Sequence, residues 1–142
     1  LSDTAPLNHI VQEMLGYGEV HAMRDPTRGG LATTLKEMAL ESGLCFKISE
    51  EAIPVAQGVM GAAELLGLDP LYIANEGIFV AFVKNDAAEQ MIDALKKNPL
   101  GRGSNIIGEV VESPSEKVLL KTRIGGTRLI DMLSGEQLPR IC

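Results

Sequence analysis

The sequence predicts an α+β domain in which helices cover a layered sheet that is mixed or largely antiparallel. Helical and strand-like segments interleave along the 142 residues, but several strand-like segments follow one another directly. This order disfavours a purely parallel, doubly wound sheet. Hydrophobic residues make up 45% of the chain and charged residues 23%, as in an ordinary globular protein. The length suffices for one sizeable core and is too short for two full domains.

Four segments carry apolar residues at the spacing of an amphipathic helix. Thr4 is the expected cap of the first segment. Gly16, Gly43 and Gly67 are the expected stops of the first three segments, and Gly43 lies at the position where a left-handed residue commonly ends a helix. The predicted helices are 6–16, 31–42, 54–66 and 87–97.

Strands are predicted wherever short apolar runs lie between turn-forming residues. Gly125 and Gly126 join the last two strands in a hairpin. The predicted strands are 20–23, 44–49, 70–74, 78–83, 105–111, 118–122 and 127–130. Residues 1–132 are therefore expected to form the domain, and residues 133–142, which have no periodicity, an extended and mobile tail.

Charge and composition exclude several classes of protein. Nineteen acidic residues against thirteen basic ones give a net charge of -6, which argues against binding to nucleic acid or to an anionic membrane. No apolar stretch approaches the ~20 residues of a membrane span, and no signal peptide is recognisable, so we expect a cytoplasmic protein. The cysteines and histidines lack metal-binding spacing, so no metal site is predicted from them. The first residue is Leu1, and we expect a piece of a longer protein.

The last residue of the sequence, Cys142, is the first candidate for chemistry. A thiol at the end of an extended tail is exposed and able to move between sites. The alternatives are an incidental terminal thiol or a disulfide with Cys45. An apolar flank places Cys45 in the core instead.

The second candidate is the loop from Arg24 to Leu31. Glycines just before a helix allow backbone N–H groups to converge on an anion at the positive end of that helix. Arg24 and Arg28 would add positive charge. The alternative is a tight strand-to-helix turn in which Thr27 or Asp25 caps the helix.

Glu76 is the third candidate. It lies in the turn-forming triplet Asn75-Glu76-Gly77, between two apolar segments that are predicted to be strands. Partial removal from water would make such a carboxylate a usable general base. The alternative is an ordinary solvated hairpin turn.

Three motifs together resemble a known family. They are the block Arg24-Asp25-Pro26-Thr27-Arg28-Gly29-Gly30-Leu31-Ala32, the triplet Asn75-Glu76-Gly77 and the ending Pro139-Arg140-Ile141-Cys142. They closely resemble the C-terminal domain of the HypE family of hydrogenase maturation proteins. That family belongs to the aminoimidazole ribonucleotide synthetase, or PurM, superfamily. The resemblance extends along the whole chain, and the ending is its most specific part.

The resemblance implies a fold like the PurM C-terminal domain and a defined reaction. The terminal cysteine receives a carbamoyl group from the carbamoyltransferase HypF, and ATP with Mg²⁺ then drives dehydration to a thiocyanate. The cyanide passes to the active-site iron of [NiFe]-hydrogenase through a HypC–HypD scaffold complex. Cys142 would be the carrier and Glu76 would take a proton. The residues expected to bind the nucleotide are Asp25, Thr27, Arg28, Gly29 and Gly30.

The same resemblance implies that an N-terminal domain is missing. That domain carries most of the ATP and Mg²⁺ ligands and the homodimer interface, so the isolated fragment is expected to lack full activity. Two other functions stay open at this point. One is another ATP-dependent enzyme of the superfamily that acts on a free small molecule. The other is a non-catalytic docking module for a maturation complex.

Overall fold

Six strands form two separate sheets in the computed structural model, which describes residues 4–132. The sheets and four helices form an α+β fold, as predicted. The helices are α1 (Asn8–Leu15), α2 (Gly30–Ser42), α3 (Gln57–Leu66) and α4 (Asn85–Leu95). The strands are β1 (Val20–Arg24), β2 (Cys45–Ser49), β3 (Val80–Val83), β4 (Gly108–Val111), β5 (Val118–Lys121) and β6 (Thr127–Ile130).

The larger sheet has the strand order β4-β2-β5-β6 and is mixed. Strand β2 pairs antiparallel with β4 and parallel with β5, and β5 pairs antiparallel with β6. The turn between β5 and β6 contains Gly125 with φ 88°, and the N–H of Thr122 donates to the Gly126 oxygen at 2.8 Å. The predicted hairpin is confirmed.

Helix α2 packs on this sheet and forms the main core with it. Ala32, Leu35 and Ala39 recur at helical spacing and are almost completely buried. They meet the apolar side chains of the sheet, among which are Phe46, Ile48, Val118, Leu120 and Ile130. Cys45 is fully buried with a free thiol, which confirms its predicted place in the core.

The smaller sheet pairs β1 with β3 in antiparallel fashion and has its own core. Helices α1 and α4 contribute Ile10, Met14, Met91 and Leu95 to it. These side chains lie on the apolar stripe of each helix, so the two helices pack against each other and against the two strands. Residues 4–132 thus contain two hydrophobic clusters, and α2 belongs to the larger one.

Residues 70–74 do not form the predicted strand. Pro70–Tyr72 is a short 3₁₀ turn, because the Asp69 side chain accepts a hydrogen bond from the Leu71 N–H at 3.0 Å and Pro70 favours the first helical position. Strand β3 begins only at Val80, so the triplet 75–77 does not lie between two strands.

Several predicted boundaries also shift. Helix α1 is capped by Leu7 rather than by Thr4, and α3 begins at Gln57, three residues after Pro54. Gly43 ends α2 in the left-handed conformation, as predicted, and Gly67 ends α3 in the same way, whereas Gly16 follows α1 in the right-handed conformation. No helix in the part of the chain that the structure describes is long and apolar enough to cross a membrane.

Candidate functional site

Residues 25–29 connect β1 to α2 and form the centre of the candidate site. Gly29 has φ 72° and Gly30 has φ 63°, a left-handed conformation that is unfavourable for L side chains. Gly29 is the N-cap of α2, and no side chain caps the helix. The alternative interpretation, in which Thr27 or Asp25 caps α2, is therefore wrong in its capping residue. The first N–H groups of α2 have no intrahelical acceptors, as at the start of any α-helix.

Gly30 fixes the first turn of α2 against the backbone of the 3₁₀ turn. A Cβ atom at this position would lie 2.5 Å from the Leu71 oxygen and 2.7 Å from the Ile73 oxygen. Real Cβ atoms do not approach a carbonyl oxygen so closely. Only glycine allows this approach, and it brings residues 70–73 to the start of α2.

A hydrogen bond joins the glycine loop to the triplet Asn75-Glu76-Gly77. The N–H of Asn75 donates to the oxygen of the buried Pro26 at 3.1 Å. The Asn75 side-chain oxygen in turn accepts from the Gly77 N–H at 2.9 Å and shapes the triplet. Two of the three motifs singled out in the sequence therefore form one region of the molecule.

Glu76 lies in that region, but its environment differs from the one predicted. Its side chain is exposed, whereas the sequence predicted a carboxylate partly removed from water between two strands. The expected strand at 70–74 would have enclosed the turn, and the 3₁₀ turn in its place does not. Its role as a general base stays a prediction.

The polar and charged side chains of the loop differ in their exposure and in their partners. Asp25 and Arg28 are exposed, and Thr27 is half-buried. Arg24 was expected to add charge to this loop, but its guanidinium donates to the Glu37 carboxylate at 3.0 Å and lies 3.9 Å from the Glu41 carboxylate. Both acids belong to α2 beyond its first turn. Arg28, which is exposed on the loop itself, is therefore the arginine that could contact an anion there.

Sequence reasoning missed Thr33, the fourth residue of α2. Its hydroxyl oxygen is buried and has no hydrogen-bond partner among residues 4–132. That oxygen fills the space that a Cβ on Gly29 would occupy, so it faces the start of the helix. Buried polar atoms nearly always have a partner, so this hydroxyl is a group that a ligand or a water at the start of α2 could satisfy. A polar residue four positions after a glycine N-cap was the available signal.

Two predicted features remain to be placed. Cys142 and the whole predicted tail, 133–142, lie outside the described residues. Within the described part, no group of three or more His, Cys, Asp or Glu side chains could hold a metal ion.

The described arrangement is suited to an anion. The positive end of α2, two glycines without side chains, the Arg28 guanidinium and the Thr33 hydroxyl are the groups that bind phosphate oxygens in proteins. Glu76 adds a carboxylate on the adjoining loop.

Comparison with known proteins shows the family to which the domain belongs. Residues 4–121 match the family model of the AIR synthase related protein C-terminal domain. A protein of Bradyrhizobium diazoefficiens, named carbamoyl dehydratase HypE, is 52% identical over 144 residues, which cover all of this chain and 42% of that protein. The chain thus spans less than half the length of this curated relative.

Solved structures agree as well. A crystal structure of hydrogenase maturation protein HypE in complex with ATP superposes with a TM-score of 0.92 at 42% identity, over 99% of this chain and 44% of the other. A HypE–HypF complex gives a TM-score of 0.87 at 40% identity, over 94% of this chain and 43% of the other. The chain is therefore similar to HypE proteins along its whole length, and it belongs to the family of AIR synthase related proteins as their C-terminal domain.

Proposed function

We propose that this chain is the C-terminal part of an ATP-dependent carbamoyl dehydratase that makes the cyanide ligand of [NiFe]-hydrogenase. The observation that carries the proposal is its identity of about half, along its whole length, to a relative named carbamoyl dehydratase. Residues 1–132 would form the domain and residues 133–142 the segment that carries the substrate. The remainder of the full-length protein would supply most contacts to ATP and the homodimer interface.

The reaction removes the elements of water from a carbamoylated Cys142. The carboxamide oxygen attacks the γ-phosphorus of ATP, ADP leaves, and one N–H proton is released. The second N–H proton then leaves while the C–O bond breaks, with its electron pair going to phosphate, and a C≡N bond forms. The carboxamide loses one oxygen and two hydrogens, the oxygen ends in phosphate, and no outside oxidant or reductant is required.

The start of α2 is the proposed contact to the transferred phosphoryl group. Gly29 and Gly30 would present their backbone N–H groups to it, and the exposed Arg28 would add a charged donor. Thr27 lies two residues before Gly29, and Thr33 would offer its hydroxyl, which has no partner among residues 4–132. Asp25 would repel a bare phosphate, but its carboxylate is the type of ligand that Mg²⁺ prefers, so we place it toward the ion.

Glu76 is the proposed base for the N–H protons. The hydrogen bond between Asn75 and Pro26 holds its loop beside the glycines, so a carboxamide that reaches the phosphate would also be near this carboxylate. Its exposure in the isolated chain means that the rest of the protein, or the bound segment, would have to exclude water from it.

The proposed partners follow from the relatives. A HypE protein forms a complex with HypF, and we propose HypF as the donor of the carbamoyl group to Cys142. A HypC–HypD complex would receive the cyanide. The cytoplasm is the compartment we expect for these steps.

Mass spectrometry of the full-length protein tests this function. After incubation with HypF, carbamoyl phosphate and ATP, Cys142 should gain a carbamoyl group and then lose one water only while ATP is hydrolysed. Cys142→Ser should abolish both changes, whereas the control Cys45→Ser, at a buried thiol, should retain them. Glu76→Gln should retain carbamoylation and slow dehydration by about 100-fold. An unmodified Cys142 beside an active HypF would overturn the proposal.

A further inference from the structure

Asp131 is held in place just before the segment that we propose as the carrier. Its backbone oxygen accepts a hydrogen bond from the Tyr72 hydroxyl at 2.9 Å. Its side-chain carboxylate lies 3.8 Å from the Lys36 ammonium group and also accepts from the Met132 N–H. Both the backbone and the side chain of this residue therefore have partners, one residue after strand β6 ends at Ile130.

Lys36 is an unusual residue for such a contact, because it is only 7% exposed. Lysine is almost never buried unless its charge has partners. Here the ammonium group donates to the Glu116 backbone oxygen at 3.0 Å and faces the Asp131 carboxylate. A buried stem with partners on two loops holds the ammonium group in one position, unlike a freely moving surface lysine.

Tyr72 and Lys36 belong to the two elements that build the candidate site. Lys36 lies in α2, six residues after Gly30, which is about 9 Å along a helix axis. Tyr72 lies in the 3₁₀ turn whose carbonyl groups pack on Gly30. The start of the carrier segment is thus attached to the same helix and the same turn that form the glycine loop.

We propose that Lys36 and Tyr72 are positioning residues that fix where the carrier segment leaves the domain, and so keep Cys142 within reach of the site at the start of α2. This inference rests on the proposed function. Cys142 lies eleven positions after Asp131, and a chain of that length spans at most about 40 Å. The effective concentration of a tethered group depends on where its tether begins, so a loosened Asp131 lowers the fraction of carriers near the site.

The test compares dehydration of a carbamoylated cysteine within the protein chain with dehydration of one in a separate peptide. In full-length protein carbamoylated by HypF, single-turnover dehydration of Cys142 is followed by intact mass after ATP is added. In parallel, Cys142→Ser protein, with or without each further substitution, dehydrates a synthetic peptide of residues 133–142 whose cysteine is carbamoylated. The first reaction depends on the attachment at Asp131, and the second does not.

Tyr72→Phe removes only the hydroxyl and should slow the attached reaction about fivefold, the effect of one lost hydrogen bond. Lys36→Met keeps the buried stem without the charge and should slow it about tenfold. The reaction of the free peptide and the carbamoylation by HypF should stay within about twofold in both variants. The matched controls Tyr17→Phe and Lys47→Met change the same residue types away from Asp131 and should alter neither reaction.

The outcomes separate the two proposals. Equal rates in wild type, Tyr72→Phe and Lys36→Met overturn the positioning role and leave the proposed function intact. A parallel loss in the attached and free reactions also overturns it, because the substitutions would then damage the site itself. Absence of dehydration in the wild type overturns the proposed function and this inference with it.

Discussion

The two ends of helix α2 have the same backbone conformation for different reasons. Gly30 at its start has φ 63°, and Gly43 after its end has φ 70°. A Cβ at Gly43 would meet no atom within 4 Å, whereas a Cβ at Gly30 would collide with two carbonyl oxygens. Gly43 therefore serves only to end the helix, while Gly30 also allows another segment to approach the helix closely.

The hydroxyl groups near the two ends differ in the same way. The Ser42 hydroxyl at the C-terminal end donates to the Met38 oxygen at 2.7 Å. The Thr33 hydroxyl near the N-terminal end is buried and has no partner within the described residues. A left-handed glycine alone thus does not identify a functional site. The candidate site is distinguished by a close backbone approach together with a buried hydroxyl that has no partner among residues 4–132.

The largest expected effect comes from Gly30→Ala. The substitution adds an unfavourable left-handed residue and pushes the 70–73 backbone away from α2, for a combined loss of about 3 kcal/mol in the free energy of unfolding. Denaturant unfolding of the full-length protein measures this loss. Because the hydrogen bond from Asn75 to Pro26 depends on the same packing, dehydration of carbamoylated Cys142 should fall as well.

Gly43→Ala is the matched control for this variant. It meets only the conformational penalty, so it should cost about 1 kcal/mol and leave dehydration unchanged. Equal losses of stability in the two variants would contradict the close approach at Gly30. The left-handed conformation that the two glycines share would then account for both losses.

Thr33→Val should have a smaller effect of opposite sign. Replacing a buried hydroxyl that lacks a partner removes an unpaid desolvation penalty, so the ligand-free protein should become more stable by about 1 kcal/mol. If this hydroxyl contacts phosphate, ATP should bind the full-length variant about fivefold more weakly, as calorimetric titration would measure. Ser42→Ala, at a hydroxyl with a partner, should change ATP affinity by less than about twofold. A destabilised Thr33→Val variant with normal ATP binding would argue against a ligand at this position.

The local sequence predicts most helices and strands but not the contacts between segments that are distant in the chain. The end of α2 at Gly43, the hairpin at Gly125 and Gly126 and the buried Cys45 follow from residues within a few positions of each feature. The strand predicted at 70–74 was wrong because the Asp69-Pro70 pair favours a 3₁₀ turn over the β propensity of the residues after it.

The candidate site depends on contacts between distant parts of the chain. The hydrogen bond from Asn75 to Pro26 and the packing of residues 71–73 on Gly30 join segments that are more than 40 positions apart. No local pattern encodes such a pairing. The resemblance identifies the two motifs. Only the structure shows that they are in contact and that the buried Thr33 hydroxyl has no partner among residues 4–132.

The smallest expected effect is that of Arg24→Gln, which tests whether Arg24 or Arg28 contacts a ligand at the start of α2. Arg24 pairs with Glu37 and Glu41, and all three side chains are substantially exposed, so Arg24→Gln should cost no more than about 0.5 kcal/mol. Its effect on ATP affinity should stay within about twofold, because the guanidinium lies along the side of the helix rather than at its start. Arg28→Gln should instead weaken ATP binding about fivefold by removing a charged donor from the loop. Calorimetric titration of both variants with ATP, at low and at high salt, measures these two affinities. Equal weakening of ATP binding by the two substitutions would mean that Arg24 leaves its acidic partners when nucleotide binds. It would contradict the assignment of Arg28 alone to the start of α2.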